Sequence, residues 1–159
     1  MLLKSCIRSL ALAGLLSPFG LLAADSIEVS DGWVRWMPPV AEHTAAYMVI
    51  SNHGDEERRL VGGEAPRFGK VEVHESTEQD GVARMIHLDY IVVPVHGAVE
   101  LKPGGYHVML MQRQGDGLEE GESIELQLHF DDGSTKQLEL PVQRGAGGHG
   151  GHHGGHHRH

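Results

Sequence analysis

Four side chains that can bind a soft metal ion stand at a regular spacing in the chain. His74 is followed after ten residues by Met85, and Met85 after twenty-one residues by His107 and Met109, which Val108 separates. Two imidazoles and two thioethers form a ligand set that Cu(I) prefers, and few other partners use methionine sulfur. A lone strand histidine, however, is more often a surface or satisfied core residue, and a lone methionine usually fills the core. The spacing by itself leaves both interpretations open.

The segments around these residues have the pattern of short β-strands. Apolar residues alternate with polar ones, or form short runs, at residues 27–34, 46–50, 71–73, 98–101, 106–111, 124–128 and 137–140. Turn signals separate these runs, and no long stretch shows a convincing helical period. Seven or so short strands at this spacing predict an all-β fold, an antiparallel β-sandwich.

The alternation along residues 106–111 predicts which side chains share a face. Val108 and Leu110 would point into the core, whereas His107, Met109 and Met111 would line the opposite face. His107 and Met109, two residues apart on one strand, can reach a single ion above it. Met111 shares that face and is a candidate auxiliary soft ligand. We expect this face to be exposed to solvent.

The other two candidate ligands would lie at the rim of the sandwich. Val73 alternates with His74, so a core position for the valine places the histidine on an outward face. Met85 follows a loop-like segment, residues 80–84, that could fold over the rim. The turn at residues 103–105 would hold His107 near one end of the sandwich.

The N-terminal residues read as a secretory signal at residues 1–24. Lys4 and Arg8 flank the start of an apolar run, residues 10–22, with cleavage expected near Ala24. This predicts a periplasmic mature chain without an integral membrane segment. Cys6 would leave with the signal, so the mature chain would have no disulfide and no thiolate ligand. A blue-copper electron-transfer centre, which requires a cysteine thiolate, is then excluded.

Charge and length restrict the class of protein further. Without Lys4 and Arg8, eleven basic residues remain against twenty-two acidic ones, a formal net charge of −11. Binding to nucleic acid or to an anionic membrane is therefore not expected. Residues 25–144 have a suitable length for one domain. No catalytic triad, paired carboxylate or phosphate loop stands out, so we predict a binding protein and not an enzyme.

The C-terminal residues 145–159 differ sharply in composition from the rest of the chain. They contain almost nothing apolar, so they are expected to be disordered. Glycines separate six histidines, a set that suits Cu(II), Zn(II) or Ni(II) better than Cu(I). We hypothesise a Cu(II) site there, formed by His149, His152, His153, His156, His157 and His159. An expression tag is the alternative, although the glycine interleaving and Arg158 do not resemble a standard tag.

The sequence from about residue 33 to residue 142 resembles the PCu(A)C family of periplasmic copper chaperones. The family motif, H-x10-M-x21-H-x-M, matches His74, Met85, His107 and Met109 at every spacing. The string Leu-Lys-Pro-Gly-Gly-Tyr-His at residues 101–107 is also similar to the family. The resemblance implies a cupredoxin-like Greek-key sandwich in which these four residues bind one Cu(I).

The same resemblance implies delivery of Cu(I) to the binuclear copper site of cytochrome c oxidase. The expected partner is a copper-accepting oxidase subunit or another periplasmic copper carrier. The chaperone itself is expected to be a monomer. Two alternatives remain at this point: a periplasmic buffering or resistance protein without a dedicated oxidase partner, and a non-metal interaction module whose tail binds metal incidentally.

Overall fold

The computed structural model describes residues 26–145, which form strands and turns without any helix. The proposed signal segment and the six tail histidines lie outside the described residues, so both remain predictions. The strands are β1 Ile27–Arg35, β2 Thr44–Asn52, β3 Arg58–Glu64, β4 Phe68–Gln79, β5 Val82–Leu88, β6 Ile91–Val93, β7 Gly97–Leu101, β8 Tyr106–Arg113, β9 Ser123–Phe130 and β10 Thr135–Gln143. Among the described residues, no helix is long and apolar enough to cross a membrane.

The strands follow one hydrogen-bonded path in the order β5-β4-β8-β2-β1-β10-β9-β3-β6. The pairings are antiparallel except for a short parallel contact between β1 and β10, at Val34 with Val142 and Arg35 with Gln143. At this contact the path passes from one layer, β5-β4-β8-β2-β1, to the other, β10-β9-β3-β6. β7 continues the edge of β2 beyond the part that pairs with β8.

One hydrophobic core lies between the two layers. Its fully buried side chains include Met48, Leu60, Leu110 and Leu126, which come from strands of both layers. Burial of this apolar area is the main source of stability for a domain without disulfides. The predicted all-β sandwich is confirmed, and so is the core position of Val108.

The structure has three strands that the sequence pattern did not indicate. β3 contains the glycine pair Gly62-Gly63, and β6 is only three residues long, so neither shows a clear alternation. β5 is exposed on almost its whole length and also lacks a core face. The interpretation of residues 80–84 as loop-like is correct only for the turn at Asp80-Gly81, because residues 82–84 belong to β5.

Candidate metal centre

Two histidines face each other across neighbouring strands on the outer face of the sheet. His74 of β4 and His107 of β8 are directly paired in register, and their ring centroids are 5.8 Å apart. An imidazole-bound ion lies about 2 Å from its nitrogen, so two rings that share one ion have centroids roughly 5–6 Å apart. The spacing of His74 and His107 is therefore that of a pair which can hold one ion.

A tight turn fixes the orientation of the His107 ring. The Gly105 amide donates to the Lys102 carbonyl over 3.0 Å, and Gly104 has a φ of 81°. Pro103 followed by a glycine of positive φ is typical of a type II turn. His107 Nδ1 then donates to the Gly105 carbonyl over 3.1 Å, which leaves the Nε2 lone pair unprotonated. His107 Nε2 is buried and has no hydrogen-bond partner within residues 26–145.

A carboxylate fixes the orientation of the His74 ring in the same way. His74 Nε2 lies 3.0 Å from a carboxylate oxygen of Glu72, and the amine of Lys70 lies 2.5 Å from the other oxygen. The hydrogen bond from Lys70, followed by the one from His74, lowers the pKa of Glu72 to about 2. Because an ionised carboxylate can only accept, His74 Nε2 carries the proton. His74 Nδ1 is buried and has no hydrogen-bond partner in the described part of the chain.

The two buried nitrogens without partners fit a metal ion. Buried polar atoms are nearly always hydrogen-bonded, and leaving one unpaired costs about 1–3 kcal/mol. His74 Nδ1 and His107 Nε2 are both deprotonated acceptors held by a hydrogen bond at the opposite ring nitrogen, the arrangement usual for metal-bound histidine. Among the described residues no three His, Cys, Asp or Glu side chains form a metal site. A complete site here needs methionine sulfur.

The two methionines lie on opposite sides of the histidine pair. Met109 is paired with Glu72, one step of the ladder beyond His107, whereas Met85 is paired with Ser76, one step to the other side of His74. In a flat sheet the Cα atoms of Met85 and Met109 would be roughly 16 Å apart. The four predicted ligands thus share a face, but the structure brings His74, His107 and Met109 together more closely than it does Met85. Met111 is paired with Lys70, a further step away, and its auxiliary role remains a prediction.

The expectation of an exposed ligand face was wrong for His107, which is 2% exposed. Trp33, Ala45 and Tyr47 form a second buried cluster on the same outer face, and the Tyr47 ring lies 6.3 Å from that of His107. Met85 is 54% exposed. The ligand face therefore runs from a buried end at β8 to an open end at the edge strand β5.

His87 completes a row of three imidazoles across β5, β4 and β8. It is paired with His74, at 5.5 Å between ring centroids, on the side away from His107. His87 lies outside the four-ligand spacing of the sequence motif, two residues after Met85. The position of His87 opposite His74 depends on the two-residue turn Asp80-Gly81, which sets the register of the β4–β5 hairpin.

Acid should destabilise the apo domain through His107. Burial, the largest cause, lowers the pKa of His107 below its ordinary value, although the hydrogen bond to Gly105 opposes this shift. The unfolded chain then binds the proton more tightly, so stability is full above the ordinary pKa of about 6.5 and declines as pH falls through the lower folded value. We expect the Tm of the apo domain to fall between about pH 7 and pH 5, and to fall less in His107→Phe. Equal slopes in the two proteins would contradict this.

Comparisons with known proteins agree with the fold. The family model described as "Putative lipoprotein LpqE-like" matches residues 27–142. The putative lipoprotein Lxx21020 of Leifsonia xyli is 31% identical over 121 residues, which cover 76% of this chain and 71% of the relative. The Cu(I) form of DR1885 from Deinococcus radiodurans is 29% identical with a TM-score of 0.62, over 79% of this chain and 83% of that one.

A second solved structure gives the same architecture. The copper-bound PCuAC domain of PmoF2 has a TM-score of 0.63 at 24% identity, over 74% of this chain and 92% of that domain. At this identity the likeness concerns the fold alone. The cupredoxin-like β fold expected from the sequence is confirmed.

Proposed function

This chain belongs to the LpqE-like family, and we propose that it is an exported copper chaperone that binds Cu(I) on the outer face of the layer β5-β4-β8-β2-β1. The proposed ligands are His74, Met85, His107 and Met109. The family and the solved relatives, which include a Cu(I) form and a copper-bound domain, support copper as the cargo. A domain that acts in the periplasm also agrees with the lipoprotein description of the family.

The observation that carries the proposal is the pair of buried ring nitrogens. His74 Nδ1 and His107 Nε2 have no hydrogen-bond partner among the described residues, and each belongs to a ring whose other nitrogen is already hydrogen-bonded. A structural role in the core would instead favour hydrogen bonds at both nitrogens. The pair is explained if an ion is bound between the two rings.

The ligand types favour transport over catalysis. Thioethers and neutral imidazoles are uncharged, so they favour the reduced, monovalent ion and exchange with stronger thiolate ligands of an acceptor. We propose that the acceptor is the binuclear copper site of cytochrome c oxidase, reached directly or through another periplasmic copper carrier. Copper buffering or resistance without a dedicated oxidase partner is the alternative.

Transfer to a copper-accepting oxidase domain tests this function. The protein loaded with one Cu(I) is mixed with the apo form of a soluble oxidase domain that carries the binuclear site, and copper on each protein is measured after separation. We expect copper to move to the oxidase domain faster than from a small-molecule Cu(I) complex of equal affinity. Equal rates would favour the buffering alternative, because a dedicated partner contact should raise the association rate.

The histidine tail is proposed to bind Cu(II) independently of the Cu(I) site. Deletion of residues 145–159 should remove Cu(II) binding and leave Cu(I) binding unchanged, because the described ligand face includes no tail residue. Isothermal titration with each ion measures both effects. A matched control keeps the length of the tail and replaces its six histidines by serine. Cu(II) binding that survives in both variants would refute a tail site.

A further inference from the structure

The outer face of β5, β4 and β8 presents soft ligands on both sides of His74. On β8, His107 and Met109 are two residues apart. His107 is paired with His74, and Met109 is paired with Glu72, the next residue of β4 on the same face. On β5, His87 and Met85 are also two residues apart, and His87 is paired directly with His74. The strands on either side of β4 therefore each supply one imidazole and one thioether.

This arrangement forms two overlapping sets of three ligands. We call His107, Met109 and His74 the inner ligand set, and Met85, His87 and His74 the outer ligand set. The rings of His107 and His87 lie 5.8 Å and 5.5 Å from the ring of His74, so both distances suit a shared ion. The inner set is largely buried, whereas His87 and Met85 are more than half exposed.

The contacts of His87 favour a ligand over a structural role. Its Nε2 lies 3.8 Å from Glu72, which is too long for a hydrogen bond. The ring is therefore not fixed by the carboxylate that holds His74 at 3.0 Å. An exposed imidazole on an edge strand, with its ring 5.5 Å from the ring of His74, can bind an ion that arrives from solvent or from another protein.

We propose that Cu(I) enters and leaves through the outer ligand set, with His87 as an exchange ligand that hands the ion to the inner set by way of His74. This inference rests on the proposed copper-binding function. It also explains the position of Met85, which lies on the opposite side of His74 from Met109. At each step one ligand bond forms as another breaks, and the copper remains Cu(I) throughout.

A rate measurement separates an exchange ligand from a ligand that only adds affinity. His87→Phe keeps a ring against His74 and removes both nitrogens. His53→Phe is the matched control, because His53 is similarly exposed and lies beside a carboxylate, 2.9 Å from Glu28, far from this face. Each full-length protein is loaded with one Cu(I), and release to excess bathocuproine disulfonate is followed by absorbance.

We expect His87→Phe to hold one tightly bound Cu(I) but to release it roughly tenfold more slowly, the effect of losing one ligand interaction of ordinary strength in the exchange step. His53→Phe should release it at the wild-type rate. Wild-type release from His87→Phe would overturn the inference and leave the proposed function intact. A wild-type protein that binds no Cu(I) would overturn both.

Residual binding provides a second, independent test. His107→Phe disables the inner ligand set but leaves the outer one complete, so it should keep a weaker Cu(I) site. Adding His87→Phe to this variant should abolish the residual site, whereas adding His53→Phe should not. Residual binding that persists without His87 would count against the outer ligand set.

Discussion

Cu(I) affinity is expected to fall by about a hundredfold when His107 is replaced by phenylalanine, because a four-ligand metal site has a binding free energy of about 10–16 kcal/mol, or roughly 3 kcal/mol per ligand. Phenylalanine fills the space of the imidazole beside Tyr47 but removes the free Nε2. The measurement is competition for Cu(I) against bathocuproine disulfonate. The Tm of the apo variant shows whether the fold is retained.

Two neighbouring methionines provide the matched control for the sulfur ligands. Met109 and Met111 are half-buried and lie on the same face of β8. Met109 is paired next to the His74–His107 pair on that face, and Met111 is one pair farther away. Leucine is close to methionine in volume, and such exchanges usually cost less than about 1.5 kcal/mol. Met109→Leu should weaken Cu(I) binding more than Met111→Leu does, because Met111 is paired one step farther from the histidine pair and would act only as an auxiliary ligand. Equal losses in both variants, or an unchanged affinity in His107→Phe, would contradict the proposed ligands.

Alternation along a strand was sufficient to predict which side chains share a face of β8. Val108 and Leu110 are buried in the core, and His107 and Met109 lie on the other side, because successive strand residues point to opposite faces. The turn before His107 was also predictable, since Pro103 and Gly104 suit the dihedral angles of a type II turn. These features depend on residues that are close in the sequence.

The burial of His107 could not be read from its own strand. Its neighbours on the outer face, Trp33 and Tyr47, belong to β1 and β2, far earlier in the chain, and the two rings are 4.7 Å apart. Which strands are adjacent depends on the order of the sheet, where β8 pairs with both β4 and β2. The contact between His74 and Glu72 is different, because both residues lie on one face of β4 and are only two residues apart in the sequence.

The strand that carries Met85 had a sequence signal of a different kind. Asp80 and Gly81 have positive φ values of 55° and 75°, as a two-residue hairpin turn requires, and Asp-Gly is a strong signal for such a turn. The residues that follow show no alternation, because β5 is an exposed edge strand without a core face. Turn chemistry, and not hydrophobic pattern, was the available evidence for β5 and for the position of His87.

The proposed copper transfer would require a site that is both selective and accessible, and the gradient of burial across the proposed ligand face suits both requirements. If His107 and Met109 bind the ion as proposed, the buried end of this face at β8 would shield it from water and favour a soft ion. Exposed ligands at β5 allow an acceptor to approach. His74 stands between them, so the properties of its ring influence both binding and release.

Replacement of Glu72 by glutamine is expected to weaken Cu(I) binding by roughly 10–100-fold, the usual effect of losing the hydrogen-bond partner of a metal-bound histidine. Glu72 accepts a hydrogen bond from His74 Nε2–H over 3.0 Å, which keeps the proton on Nε2 and leaves Nδ1 as the nitrogen that would bind an ion. Its pKa of about 2 keeps the carboxylate charged at any pH where the protein would act. Glutamine can still accept a hydrogen bond but carries no charge, so the ring becomes a weaker donor to copper.

Glu100→Gln is the matched control for this prediction. Glu100 pairs with Lys102 over 2.7 Å, two residues apart on the chain as Lys70 and Glu72 are, but no histidine of residues 26–145 forms an ion pair with it. Both side chains of the Glu100–Lys102 pair are more than half exposed, and such pairs contribute about 0–1 kcal/mol, so Glu100→Gln should keep a Tm near that of the wild type. The Glu72 side chain is only 19% exposed, so the Tm of Glu72→Gln is measured beside its Cu(I) affinity. Only Glu72→Gln should lose Cu(I) affinity. If the two variants lost affinity equally, the effect would come from the overall charge, and Glu72 would have no specific role in orienting His74.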